Sequence, residues 1–104
     1  MITVQYIVVR RDLIDKLGVG TLVTQVSHAS MAPLTNKLRE NLNKTIEDLF
    51  DNETKQWIIG RFTKIILEVP DKSSLLNITE RLFADGIDFV KIEEFTLGGE
   101  LTCI

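Results

Sequence analysis

The run Ile2 to Val9 constrains the fold more than any other stretch. Ile2, Val4, Tyr6 and Val8 alternate with Thr3, Gln5, Ile7 and Val9, so the segment is amphipathic at its start and apolar on both sides at its end. A strand that buries both faces belongs inside a sheet, with helices over the sheet's two sides. With 104 residues and 44% hydrophobic content, the chain can supply one compact core and hardly two, so residues 1–104 are expected to form a single domain. No Pro-rich or Ser-rich linker and no internal repeat divides it.

Arg10 to Gly20 breaks the alternation. Gly18 and Gly20 suit a tight loop that feeds a helix, with Thr21 as its cap. Leu22, Val23, Val26, Ala29 and Met31 then recur at helical spacing until Pro33, where a kink, a stop or a restart is required. Asn36 to Gln56 is mostly polar and reads as a helical continuation, a turn and a short helix around Thr45 to Asp51. Trp57, Ile58 and Ile59 are expected to pin this excursion to the core. Within Phe62 to Val69, Ile65-Ile66-Leu67 has the length and β-branching of a second buried strand, closed by Pro70. Asp71 opens the clearest helix, in which Leu75, Ile78, Leu82 and Phe83 share a face and Gly86 can form a left-handed end. Asp88 to Phe95 alternates again, and Leu101 to Ile104 follows the Gly98-Gly99 turn as an antiparallel partner. Strand, helix, strand in that order makes a right-handed parallel crossover, so the product is an α/β fold with a mixed sheet. The last strand stops within an apolar run. Either a partner covers that end, self-association being one route, or the chain is abbreviated.

The single cysteine, Cys103, excludes an internal disulfide and a Cys-based metal site, and it fits the reducing cytosol. No secretory signal follows Met1 and no segment is long enough to cross a bilayer, so a soluble chain is expected. The formal net charge of −3 is not that of a generic polyphosphate binder. It is unevenly spread: residues 1–64 carry nine Lys/Arg against seven Asp/Glu, and residues 65–104 carry three against eight. An RNA-facing surface would therefore use Arg10, Arg11, Lys16, Lys37, Arg39 and Lys44. Asp12, Asp15 and Glu40 interleave with these, so ordinary solvated charge explains the pattern equally well.

His28 is the only histidine. On a helix it shares a stripe with Thr21, Thr24 and Gln25, beside the apolar Val23, Val26 and Ala29. Such a stripe borders the core near the loop after the first strand, where open α/β sheets place their sites. His28 there is either a general base or a half-buried histidine with a backbone partner. Gly18-Val19-Gly20-Thr21 opens a helix as a phosphate cradle would, but it lacks the lysine of a Walker loop and the third glycine of a dinucleotide fingerprint. Glu93 and Glu94 are neighbours in a strand and point to opposite faces, so at most one can serve a given site.

Four blocks, in order, carry a resemblance: Tyr6-Ile-Val-Val-Arg-Arg-Asp-Leu13, Lys16-Leu-Gly-Val-Gly20, Gln25-Val-Ser-His-Ala29 and Lys64-Ile-Ile-Leu-Glu-Val-Pro-Asp71. The chain resembles the type 2 peptidyl-tRNA hydrolases, and its Gln-x-x-His-Ala block and Thr102-Cys-Ile ending are similar to the divergent peptidyl-tRNA hydrolase domain-containing branch. The resemblance implies a three-layer α/β/α sandwich on a four-stranded mixed sheet, hydrolysis of the ester between peptide and tRNA by activated water, and no metal or other cofactor. His28 matches the family histidine. The family's Gly-Lys-Gly-Lys reads Gly18-Val19-Gly20-Thr21 here, so both lysines are replaced. Its Asp-Ala-Gly-Arg-Thr segment is absent, leaving Glu94 near the acidic position and Thr96 near the threonine. Two functions follow as expectations: an ester hydrolase using His28, Glu94 and Thr21, with Arg11, Lys16, Gly18, Gly20, Gln25 and Thr96 toward peptidyl-tRNA, or a catalytically silent domain that binds RNA or protein.

Overall fold

A computed structural model of the chain describes residues 3–104, apart from the side chain of Ile46. The expected strand start at Ile2 lies outside these residues. Strand β1 (Gln5–Arg10) runs directly into helix α1 (Arg11–Leu17), and Gly18 alone separates that from α2 (Val19–Glu40). The excursion carries α3 (Ile46–Leu49) and α4 (Asn52–Ile59) before β2 (Lys64–Val69), α5 (Lys72–Ala84), β3 (Ile92–Glu94) and β4 (Glu100–Cys103). The sheet order is β2-β1-β4-β3, with β1 parallel to β2 and antiparallel to β4, and β4 antiparallel to β3.

The doubly apolar end of β1 is used as its pattern requires. Ile7 and Val9 face α2, forming a cluster with Ala29, Ile92 and Cys103 onto which Leu22 and Val26 pack. Val8 faces the other way, toward Leu75, Leu101 and Ile104, with Ile78 and Leu82 of α5 around them. The molecule is thus a three-layer α/β/α arrangement on a four-stranded mixed sheet. Among the described residues, no helix is long and apolar enough to cross a membrane.

Several local expectations are corrected. The segment after β1 is helical rather than a loop, because Leu13, Ile14 and Leu17 supply helical spacing and Ile14 reaches the core. Gly18, at φ 93°, ends α1 and caps α2; Gly20 and Thr21 lie inside the first turn, so Thr21 is not the cap. Helix α2 continues through Pro33 to Glu40, and Val23 and Met31 face solvent at 61% and 49% exposure. Trp57 is buried, but it pins the excursion to the start of β2: its indole donates to the Thr63 carbonyl at 2.7 Å and its ring lies 4.2 Å from that of Phe62. Ile59 and Phe83 take no part in the core, at 83% and 82% exposure. Helix α5 begins at an Asp71 cap whose carboxylate accepts from the Ser74 amide, and Gly86 turns the chain left-handed beyond it, at φ 69°.

Strand β2 is not buried. It is the outermost strand, only Val69 of it reaches a core cluster, and Ile65, Ile66 and Leu67 are 37%, 51% and 48% exposed. The expected strand Asp88 to Phe95 shrinks to Ile92–Glu94, followed by a 3₁₀ turn at Phe95–Leu97 and two left-handed glycines, Gly98 and Gly99. Strand β4 inserts between β1 and β3, and Ile104 exchanges backbone hydrogen bonds with Val8 at 3.0 Å in both directions. Its apolar run is therefore covered within the fold, and needs no partner.

Candidate active site

One irregularity in the sheet shapes the site. Ile92 pairs with Cys103, while Glu93 pairs with Leu101 and Glu94 with Glu100, so Thr102 is the extra residue of a bulge in β4. The bulge lets Thr102 and Cys103 address the same helix. The Thr102 hydroxyl donates to Gln25 Oε1 at 2.6 Å, and the Cys103 thiol donates to the Gln25 carbonyl at 3.3 Å. Gln25 is 5% exposed, and with its Oε1 engaged its amide nitrogen points at β3, donating to Glu94 Oε2 at 2.9 Å. Burial pushes the Cys103 thiol up to about 11, so it is a packed donor and not a nucleophile.

Glu94 is where this network meets the surface. Thr96 donates to its other oxygen from the hydroxyl at 3.0 Å, and His28 Nε2 lies 3.6 Å from Glu94 Oε2. The Gln25 amide first, and then the Thr96 hydroxyl, hold the Glu94 carboxyl below the usual carboxylate range, because both donate to its charged form. Glu94 is therefore an anion at neutral pH, poised to orient an imidazole. Two shallow clefts flank it. One, of about 260 Å³, is lined by Leu17, Gly20, Thr21, Gln25 and Thr96; the other, of about 330 Å³, by His28, Asn36, Lys91 and Phe95.

Of the residues singled out from sequence, the fold brings together His28, Glu94, Thr21, Gly20, Gln25 and Thr96. Helical spacing does this on α2, and the short β3 with its 3₁₀ turn does it opposite. Lys16 and Gly18 flank Leu17 at the rim and line neither cleft. Arg11 is not brought to the site: it forms ion pairs with Asp15 at 3.0 Å and with Glu68 of β2 at 2.8 Å, on the sheet edge opposite β3. Arg10 is no surface cation either. It is 6% exposed, bonded to both oxygens of Asp12, to Glu100 and to the Leu101 carbonyl. Lys37, Arg39 and Lys44 are exposed. Glu93 faces away from Glu94, as strand alternation requires, and is exposed. Among the described residues no group of three or more His, Cys, Asp or Glu side chains converges as metal ligands.

Sequence reasoning missed Thr102, whose one signal is a hydroxyl between apolar neighbours in a buried strand, and Lys91 and Phe95, which carry no signal. Phe95 is 92% exposed beside His28 and Glu94.

Comparison with known proteins agrees with this architecture. Residues 3–104 match the family described as Peptidyl-tRNA hydrolase PTH2. A human protein named "Putative peptidyl-tRNA hydrolase PTRHD1" is 32% identical over 91 residues, covering 84% of this chain and 58% of that protein. The chain thus spans little more than half the length of this relative. Matched over almost its whole length, and built on the sheet described above, the chain belongs to the PTH2 family of peptidyl-tRNA hydrolases.

Proposed function

We propose that this chain hydrolyses the ester between a peptide and the terminal ribose of tRNA, with His28 as general base and Glu94 as the group that orients it. The observation that carries this reading is the contact of His28 Nε2 with Glu94 Oε2 at 3.6 Å, at the mouth of two open clefts. With Nε2–H directed at the carboxylate, Nδ1 is left as an acceptor for a water proton. Water adds to the ester carbonyl as that proton moves to Nδ1, and Glu94 offsets the charge on the imidazolium. The tetrahedral oxyanion then collapses, the bond from the carbonyl carbon to the ribose oxygen breaks, and the imidazolium returns its proton to that oxygen. The Thr21 hydroxyl, two turns before His28 on the same helix face and lining the adjoining cleft, is the donor assigned to the oxyanion. Gly20 keeps the cleft wall open beside Thr21. Gln25 and Thr96 act on Glu94 and serve as positioning residues, while Lys16 and Lys91 are the cations beside the clefts that suit a phosphate backbone. The cytosol is the compartment this reading implies.

Release of labelled peptide from peptidyl-tRNA tests the proposal. His28→Ala is expected to lower turnover by about a hundredfold or more, and Glu94→Gln by a smaller factor, with folding unchanged. Unchanged turnover in His28→Ala removes the histidine from the mechanism. The presence of Val19 and Thr21, where the family carries lysines, favours a second reading, a domain that binds without turnover. That reading is adopted if wild type and variants are folded, silent and still retain tRNA in a binding assay.

A further inference from the structure

The outer edge of the sheet carries a pattern that neither the core nor the cleft uses. The Gln5 amide donates to the Thr63 carbonyl at 3.0 Å, so in this parallel pairing Thr63, Ile65, Leu67 and Val69 turn their backbone groups toward β1. Lys64, Ile66 and Glu68 turn theirs outward, to an edge with no neighbouring strand among the described residues. The edge contains no proline or bulge, and between its two charged residues, Lys64 and Glu68, lie exposed isoleucines and a leucine, with Tyr6 exposed beside Ile65.

The sequence along this edge, Lys64-Ile65-Ile66-Leu67-Glu68, is complementary to itself when reversed. We propose that β2 is a homodimer interface, in which two copies of this chain pair their β2 strands antiparallel about a two-fold axis at Ile66. In that register Lys64, Ile66 and Glu68 each donate and accept one backbone hydrogen bond, using the outward groups and no others. Lys64 faces Glu68 of the second copy, and Glu68 faces its Lys64, while Ile66 meets Ile66 between them on the same face. Ile65 meets Leu67 on the opposite face. A shift of two residues keeps the hydrogen-bond phase but sets Lys64 against Ile66, and a shift of one loses the phase. Within one chain Lys64 lies 3.5 Å from the Phe62 ring centroid, and Glu68 is held by Arg11. Both are exposed contacts that can admit a further charge. The outcome is one continuous sheet through both copies, with each cleft at an outer end beside β3.

Analytical ultracentrifugation of wild type, Lys64→Glu and Glu68→Lys tests the register. Wild type is expected to dimerise reversibly. Each single reversal places like charges opposite twice per interface, and should weaken the dimer by about tenfold or more. Mixed in equal amounts, the two variants should form a heterodimer, since every facing pair is then of opposite sign. Circular dichroism confirms that each variant is folded before it is scored. A wild type that stays monomeric up to its solubility limit overturns the proposal. So do single reversals that dimerise as wild type does, or a mixture that fails to associate.

Discussion

Gln25 is a buried amide that spans two elements, and this decides what its loss should do. Its oxygen accepts from Thr102 and its nitrogen donates to Glu94, at 2.6 Å and 2.9 Å. Replacing it with leucine keeps the volume and removes both bonds, leaving Thr102 with the Ile92 carbonyl and Glu94 with Thr96 alone. Gln25→Leu should therefore cost about 1–3 kcal/mol in urea denaturation. It should also raise the Glu94 carboxyl back toward its ordinary value in an NMR titration. His28→Ala, altering a half-exposed side chain, should leave the urea midpoint near that of wild type. A Gln25→Leu midpoint equal to wild type would show that the amide holds nothing in place. The polar stripe of Thr21, Gln25 and His28 was legible because helical geometry alone sets side chains three, four and seven apart on one face. Thr102 was not, because its direction depends on a bulge that exists only once β3 and β4 have paired. The burial of Arg10 escaped for a similar reason: its partners Glu100 and Leu101 arrive from ninety and more residues away.

At the scale of elements, α1 and α2 are distinct helices because of one residue. Gly18 sits at φ 93°, between the last turn of α1 and the first of α2, and its amide donates to the Ile14 carbonyl at 2.7 Å. A Cβ added there would meet nothing within 4 Å, so the penalty of Gly18→Ala is conformational rather than steric crowding by neighbours. A loss of about 1 kcal/mol or more is expected in urea denaturation, and a similar one for Gly18→Asn, because ψ 176° places Gly18 outside the left-handed helical region that asparagine tolerates. Equal stability of the alanine variant would mean that the junction rearranges. Because this turn sets the first residues of α2, and hence Gly20 and Thr21, the alanine variant should also lose turnover if Thr21 holds the oxyanion. The order of strands, with α2 and α5 between them, was legible, since periodicity changes from two to helical spacing there; α1, read as a loop, and α4, beyond the short helix expected at Thr45 to Asp51, were not. The parallel crossover from β1 to β2 followed from the helical segment between them. What could not be read was depth in the sheet. Ile65-Ile66-Leu67 has the composition of an interior strand, but burial is conferred by neighbours, and α2 and α5 lie over β1 and β4. The same reasoning covers Phe83, whose place on the helical pattern allows a core position that the position of α5 does not provide.

Across the whole molecule, the charge is tied to the packing by Arg10. Its guanidinium, buried at the end of β1, joins Asp12 at the start of α1 to Glu100 at the start of β4. Hydrogen bonds from Arg10 hold both carboxyls below their ordinary values of 3.8 and 4.5, while the same bonds, that to Asp12 foremost, raise the guanidinium's own value. Asp51 and Asp71 are also depressed, chiefly by bonds from Thr54 and Ser74 at the helix starts they cap, and Glu94 is depressed by Gln25. Every one of these carboxyl shifts has the same sign. A carboxyl whose value is lower in the folded state contributes stability that is complete above its unfolded value and is lost as pH falls through its folded one. Stability should then be level from neutrality down to about pH 5 and fall steeply below about pH 4. The buried Arg10 makes the fall cooperative, for it keeps its charge while both its partners lose theirs. Urea midpoints measured across this range should show the drop in wild type and a shallower one in Glu100→Gln, which is already without one of the titrating partners. If the midpoints stay level down to about pH 3, these carboxylates do not hold the fold together, and the joint between β1, α1 and β4 rests on the packing of Val8, Leu101 and Ile104 instead.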